Sequence, residues 1–420
     1  MLLRRPPVST ILIIVVAVVA GLALLQMTRH RLQANDAIRG VGAENASGSE
    51  KWVNPSACTS APHVETPRAA SGASDPSPVK LRLDYAGAVA LIDALERDSL
   101  SDADVDSLLR VRGLCAMVDN VPRFFPEIGV SEFRKEIRAF VRTKKRGEYD
   151  GYFGLSDVWQ GRAKVRALIA AIHANERTIV DETISQLDRF RPDTGTVAIT
   201  TYFVAGGVSD GFVFENDPTS FYANLARADG DLNGVVLNMS HEAYHVMQFK
   251  AQERSGIIPL SAATDTTPPV ERLFATTLSE GTATFVADPT RSTAAGSNME
   301  SSRQRYRRNG EPKRIAENFG RFDAVLTKLR DGRMPWGKAY TEGFTSENDA
   351  SFYFVGYEMT KALERYCGHE CIGRLFKERP VEFFRQYIAL YRTHPEITGR
   401  FSPETEMFIA AYGENRPPTT

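Results

Sequence analysis

What the sequence has little of narrows the field first. Lysine and arginine (51) nearly cancel aspartate and glutamate (52), leaving a net charge of -1 and a pI near 6.7. A chain so balanced lacks the electrostatic footprint of a nucleic-acid or polyanion binder. Cysteine is scarce, with only Cys58, Cys115, Cys367 and Cys371 in 420 residues. In "CGHEC" the last two lie four apart, where a local disulfide is feasible in an oxidising compartment. No second cysteine pair completes a zinc site around them. Long apolar runs are rare as well. The run "ILIIVVAVVAGLALL", Ile11 to Leu25, has no charged side chain and follows Arg4 and Arg5. It falls just short of typical spanning length, and no small-x-small cleavage site follows closely. A signal-anchor over 11–27 is expected, with a cleaved signal peptide as the alternative. In either case the basic residues of 1–10 stay on the cytoplasmic side and the remainder crosses the membrane.

Composition then divides the chain. Residues 28–78 are rich in Ala, Ser, Pro, Asn and Gly, which cannot assemble a core, and read as a flexible tether containing Cys58. Helical periodicity dominates 79–190, as in "SDADVDSLLRVRGL" with Ser101 as its cap and acidic residues in its first turn. From 191 the character changes. "GTVAITTYFVAGG" reads as a strand entering a turn at Gly206 and Gly207, and "DGFVFEN" as a second short strand. Helices are expected around 233–249, 270–287, 312–329 and 349–366 and in "PVEFFRQYIALYRTH". The segment Arg291 to Arg314 reads as a mobile basic loop, and 396–420 as a tail.

Chemistry concentrates in "VVLNMSHEAYHVMQFK", Val235 to Lys250. His241, Glu242, Ala243, Tyr244 and His245 form H-E-x-x-H. On a helix, positions i and i+4 share a face, so both imidazoles can reach one Zn²⁺ while Glu242 sits beside them as a base for water. Asn238, His241, His245 and Gln248 make a polar stripe on an otherwise apolar helix. Unpaired buried polar groups cost about 1–3 kcal/mol each, so the stripe needs a ligand or a network. Catalytic zinc takes three protein ligands. The apolar segment "LFATTLSEGTATFVAD" supplies Glu280, and the small residues Gly281, Thr282, Ala283 and Ala287 would let this helix approach the first closely. Glu253 and Glu271 compete, but "QERSG" and "PPVERL" put them at a helix end and a helix start.

"HEAYH" followed by "LSEGTATF" resembles the gluzincin zinc metallopeptidases, whose third ligand is a downstream glutamate. The aminopeptidase branch carries it in N-E-G-F-A, against Ser279, Glu280, Gly281, Thr282 and Ala283 here. The resemblance implies His241, His245 and Glu280 as ligands of one Zn²⁺ and Glu242 as general base. Two features depart from the aminopeptidases: 34 residues separate His245 from Glu280, a wider interval than theirs, and G-x-M-E-N is absent. The chain is closer to little-characterised bacterial families of zinc-dependent peptidases that combine H-E-x-x-H, E-G-x-A and a later Y-x-x-G helix. The resemblance covers roughly 195–395.

That later helix is "SFYFVGYEMTKALERY". Tyr353, Gly356, Tyr357 and Thr360 share a face, and Gly356, costing about 1 kcal/mol of helix stability, suggests close packing on a neighbour. Packed against the zinc helices, Tyr353 or Tyr357 could donate a hydrogen bond to a developing oxyanion, as in gluzincins. Tyr202 to Ala205 read as a plain scaffold strand, with an edge strand that pairs with extended peptide as the alternative. The expected fold is α+β and predominantly helical: a zincin-like metallopeptidase domain with a small sheet over 191–395, preceded by a helical domain and an N-terminal transmembrane or signal segment. The expected function is zinc-dependent hydrolysis of peptide bonds in a peptide or protein substrate. The expected location is the bacterial inner membrane with a periplasmic catalytic domain, the membrane being a partner and nucleic acid none. The alternatives are a zinc hydrolase of another substrate class and a non-catalytic envelope binding or scaffold protein with a structural metal site.

Overall fold

Parallel strands cannot be joined by a tight turn, and that constraint organises the N-terminal half. A computed structural model describes residues 78–192, 195–214, 217, 219–256 and 267–413. The expected anchor and, apart from residue 78, the tether lie outside the described residues. Among those described, no helix is long and apolar enough to cross a membrane. β1 (Val79–Asp84) pairs in parallel with β2 (Val197–Val204), from Val79 opposite Val197 to Asp84 opposite Tyr202. The connection between them is made by α1 (Ala86–Glu96), α2 (Asp102–Leu109), α3 (Arg112–Asn120), α4 (Val130–Thr143), α5 (Asp150–Phe153), α6 (Leu155–Ala174) and α7 (Glu176–Arg189). The stretch read as helical from residue 79 thus begins with a strand. "VKLRLD" has strand-like alternation, but it is short and directly abuts a helix.

These helices form where apolar residues recur at helical spacing. In α4, Phe133, Ile137, Phe140 and Val141 are buried on one side. α2 starts as expected at a capping box, with Ser101 accepting from the Asp104 backbone and the Asp104 carboxylate accepting from that of Ser101.

β3 (Gly211–Val213) and β4 (Ser220–Asn224) complete the sheet in the order β1-β2-β4-β3, with β4 parallel to β2 and β3 antiparallel to β4. β2 therefore lies inside the sheet with both edges paired. Tyr202 to Ala205 cannot take an added strand, and among the described residues the outer strands are β1 and β3. α8 (Leu232–Arg254) packs on β2, β3 and β4. The Asp231 carboxylate caps it, accepting from Gly234 N (3.0 Å), and also accepts from Asn298 N (2.8 Å) and Met299 N (3.1 Å). This pins the start of α8 to the start of α10 (Ser297–Asn309).

That second helix corrects the expected basic loop over Arg291 to Arg314. Its arginines are tied down: Arg303 donates to the Ser292 carbonyl (2.8 Å), Arg307 pairs with Glu300 (2.7 Å) and Arg308 with Asp349 (2.8 Å). Compensation from within the segment and from Asp349 lets an Arg-rich run form a helix rather than a solvated loop.

α9 (Pro269–Val286) lies against both α8 and α13 (Ser351–Cys367), and α11 (Pro312–Arg330), α12 (Trp336–Phe344), α14 (His369–Leu375), α15 (Pro380–Thr393) and α16 (Pro403–Ala411) complete the described helices. At the crossing of α9 and α13 the backbones touch. A methyl on Gly281 would overlap the Gly356 Cα, and one on Gly356 would lie 2.7 Å from the Gly281 Cα. This is the close packing that Gly356 implied. Cys367 and Cys371 are disulfide-bonded to each other, as their spacing allowed, so neither thiol is a metal ligand, and Cys115 is disulfide-bonded as well.

The crossing decides the sign of a simple substitution. Gly356→Ala gains about 1 kcal/mol of helix propensity, whereas overpacking a close backbone contact costs about 1–3 kcal/mol. Urea denaturation is expected to show net destabilisation and a lower midpoint; an unchanged or raised midpoint would mean that the two backbones are not in contact.

Candidate metal centre

α8 carries the first two donors one turn apart. His245 is buried and His241 keeps 18% of its side-chain surface exposed. Glu280 reaches them from α9, held close by the glycine contact one residue further on. Glu280 Oε2 lies 3.3 Å from His241 Nε2 and 3.4 Å from His245 Nε2, and the two Nε2 atoms are 3.1 Å apart. Zinc bonds of about 2.0–2.1 Å to nitrogen and about 2.0–2.2 Å to oxygen, at tetrahedral angles, require donors about 3.3–3.4 Å apart. The observed triangle fits one face of such a tetrahedron. Among the described residues His241, His245 and Glu280 are the only His, Cys, Asp or Glu group with metal-holding geometry. Three protein donors are what a catalytic zinc takes.

The donors are oriented from behind. His245 Nδ1 donates to Gln248 Oε1 (2.9 Å), with Ser279 Oγ at 3.0 Å. In the neutral imidazole that a metal requires, this contact keeps the proton on Nδ1 and turns Nε2 towards the metal side. Gln248 is fixed in turn: its Nε2 donates to the Ser279 carbonyl (3.0 Å) and to Thr282 Oγ1 (2.8 Å), and its Oε1 accepts from Ser279 Oγ (2.6 Å). The polar stripe on α8 is therefore a network knitting α8 to α9. Gln248 belonged to that stripe, but nothing in the sequence marked Ser279 and Thr282 as its partners.

Charge in the cluster is finely opposed. Burial raises the Glu280 carboxyl, but His245 and the hydrogen bonds from both histidines outweigh it and hold Glu280 well below the ordinary carboxylate range. Burial pushes His245 down, yet the Glu280 carboxylate outweighs that and brings it up to about 9. Without a metal the cluster thus holds a proton that a cation would displace. Glu242, outside the donor set, is raised by burial, with His241 and His245 opposing. A raised carboxyl is closer to the range a general base needs at neutral pH.

β3 runs beside that base. A methyl on Gly211 would lie 3.2 Å from Glu242 Oε1 and 3.1 Å from Asn238 Nδ2. The short strand expected in "DGFVFEN" is present, and its position against Glu242 depends on a strand order that could not be read from the sequence.

The two tyrosines part company. The Tyr353 ring lies nearly parallel to that of His241, with centroids 6.2 Å apart. Burial and then the Glu280 charge push its hydroxyl well above its usual range, so it stays a protonated donor. Tyr357, one turn on, donates instead to Asp288 Oδ2 at 2.8 Å. The structure brings Tyr353, and not Tyr357, to the cluster. The competing carboxylates are also accounted for: Glu253 pairs with Lys250 (2.8 Å) at the end of α8, and Glu271 faces Arg379 (3.8 Å) at the start of α9.

Residues 105–396 match the model of a family described as "Putative zinc dependent peptidase (DUF5700)". The match spans well over half of the chain, and the chain belongs to this family. No curated protein and no solved structure matches it.

The Gln248 contacts generate a prediction separate from turnover. Gln248→Leu removes the acceptor that orients His245 and should weaken zinc affinity about 10–100-fold, read by competition with a chromogenic chelator. Unchanged affinity would mean that His245 needs no such orientation.

Proposed function

We propose that this member of a zinc-dependent peptidase family is a gluzincin-type metallopeptidase that holds one Zn²⁺ through His241, His245 and Glu280. The supporting observation is the donor triangle with Glu242, the residue next to His241, left outside it. A purely structural site has no use for a buried carboxylate of raised basicity at that position. Zinc bound there supplies Lewis acidity towards a carbonyl oxygen and lowers the pKa of water in its neighbourhood.

The chain's own residues do the rest. Glu242 takes the proton of the attacking water and later delivers it to the leaving amine. Tyr353, kept protonated by its burial and by Glu280, donates a hydrogen bond to the developing oxyanion. β3 receives the substrate. Asn224 N donates to the Asp210 carbonyl and Phe212 sits opposite Tyr222, so by antiparallel alternation Gly211 and Val213 turn their peptide groups towards the outer edge. There Arg123 Nη1 donates to the Val213 carbonyl (2.9 Å), and Gly211 is the position beside Glu242. An extended peptide pairing there lies beside Glu242. The inner membrane, with the catalytic part in the periplasm, is the proposed location, supported by the apolar run after Arg4 and Arg5 and by the Cys367–Cys371 disulfide.

Glu242→Gln separates metal binding from catalysis. The expected result is zinc retained at the wild-type level and cleavage of a mixed peptide library reduced by roughly 10²–10⁴-fold. Cleavage that survives the substitution would remove Glu242 from the mechanism. Zinc bound in both proteins, with cleavage by neither, would favour a binding role.

A further inference from the structure

The approach to Tyr353 is paved with rings that the proposed mechanism does not use. On α12, Trp336, Tyr340 and Phe344 recur at intervals of four and so share one face. Their ring centroids are 6.0 Å apart between Trp336 and Tyr340 and 5.5 Å between Tyr340 and Phe344. Phe344 then stands 6.0 Å from Tyr353, whose ring is the one beside His241. All these separations fall in the range of favourable aromatic pairs. Exposure peaks in the middle of the row: Trp336 is half-buried, Tyr340 is 42% exposed, and Phe344 keeps only 5% of its surface. A chain of ring contacts thus links the exposed Tyr340, through Phe344 and Tyr353, to His241.

Core packing accounts for only part of this row. Phe344 meets Phe352 of α13 at 5.4 Å, and a methyl on Gly343 would overlap the Phe352 ring, so the inner end of α12 is seated against α13. Trp336 also packs in part against the core, whereas Tyr340 is not needed for that seating. A large ring left in solvent one turn beyond the core marks a contact surface when it joins a functional site. The lining is uncharged, since Trp336, Tyr340, Phe344 and Tyr353 supply only ring surface and, at the tyrosines, hydroxyls.

We propose that Trp336 and Tyr340 form a specificity subsite for a large apolar side chain, aromatic for preference, on a substrate residue near the scissile bond, with Phe344 as its floor towards Tyr353. The inference rests on the peptidase reading and names the substrate class for it. Continuity with the site sets the occupant: a peptide with its backbone beside Glu242 and a side chain directed along the ring row meets apolar surface throughout.

The test uses the zinc-loaded full chain and blocked peptides that differ at one position, Phe against Ala, with the position scanned along the peptide. At one position the wild-type ratio of kcat/KM, Phe over Ala, should be about tenfold or more, and it should fall towards unity in Tyr340→Ala. Trp336→Ala, at the other outer ring, should lower it as well and guards against a local folding defect in either variant. A wild type without preference, or variants that keep the full ratio, overturns the subsite. If the wild type cleaves none of the peptides, calorimetric binding of the same pairs still decides. Preferential binding of the Phe peptide that Tyr340→Ala abolishes keeps the subsite and removes the peptidase reading; binding without preference, or none, removes the subsite.

Discussion

Two helices can touch backbone to backbone only where neither presents a side chain, and the contact of Gly281 with Gly356 is the point on which the candidate centre depends. Glu280 precedes the first glycine and Tyr353 lies one turn before the second. A single crossing therefore sets how far the third donor reaches towards α8 and where the phenol stands relative to it. Any side chain at either glycine would move both groups together. The energetic penalty of a glycine inside α13 is small beside the cost of misplacing a half-buried carboxylate that holds two histidines.

That carboxylate is the second constraint. Glu280 lies between helices with the imidazoles of His241 and His245 as charge partners, and an ion in such a place is tolerated only when paired and hydrogen-bonded. The opposite movements of Glu280 and His245, one held down and the other lifted to about 9, express the same interaction from its two ends. A divalent cation would replace the proton and satisfy all three donors together. Behind them, the contacts of Gln248 with Ser279 and Thr282 hold α8 and α9 in register, so donor geometry is built into the helix interface rather than left to rotamer choice.

Local features were legible and relational ones were not. The spacing of His241 and His245, the capping by Ser101, the strand in "VAITTYFV" and the small residues around Glu280 each express a rule acting within a few positions of the chain. Which strand forms an edge is a matter of distant pairing, and so the sequence of β2 suits both a scaffold strand and an edge, a choice that β1 and β4 settle by flanking it. β1 is short and gains its stability from β2, a neighbour remote in sequence. Tyr353 and Tyr357 share a helical face; Asp288, on the segment after α9, divides them by taking the Tyr357 hydroxyl. The charge of Arg291 to Arg314 concealed a helix because its compensation comes in part from Asp349, remote in sequence. The ring row on α12 went unread for the same reason, as its meaning lies in what stands beside Phe344.

The central claim is that His241, His245 and Glu280 hold one zinc ion, and anomalous diffraction from crystals of the purified protein, collected on either side of the zinc absorption edge, tests it most directly. The account predicts one anomalous peak, present only above the edge, within about 2.0–2.2 Å of His241 Nε2, His245 Nε2 and a Glu280 carboxylate oxygen. An empty triangle in zinc-replete crystals, or a zinc peak held by other residues, would contradict it.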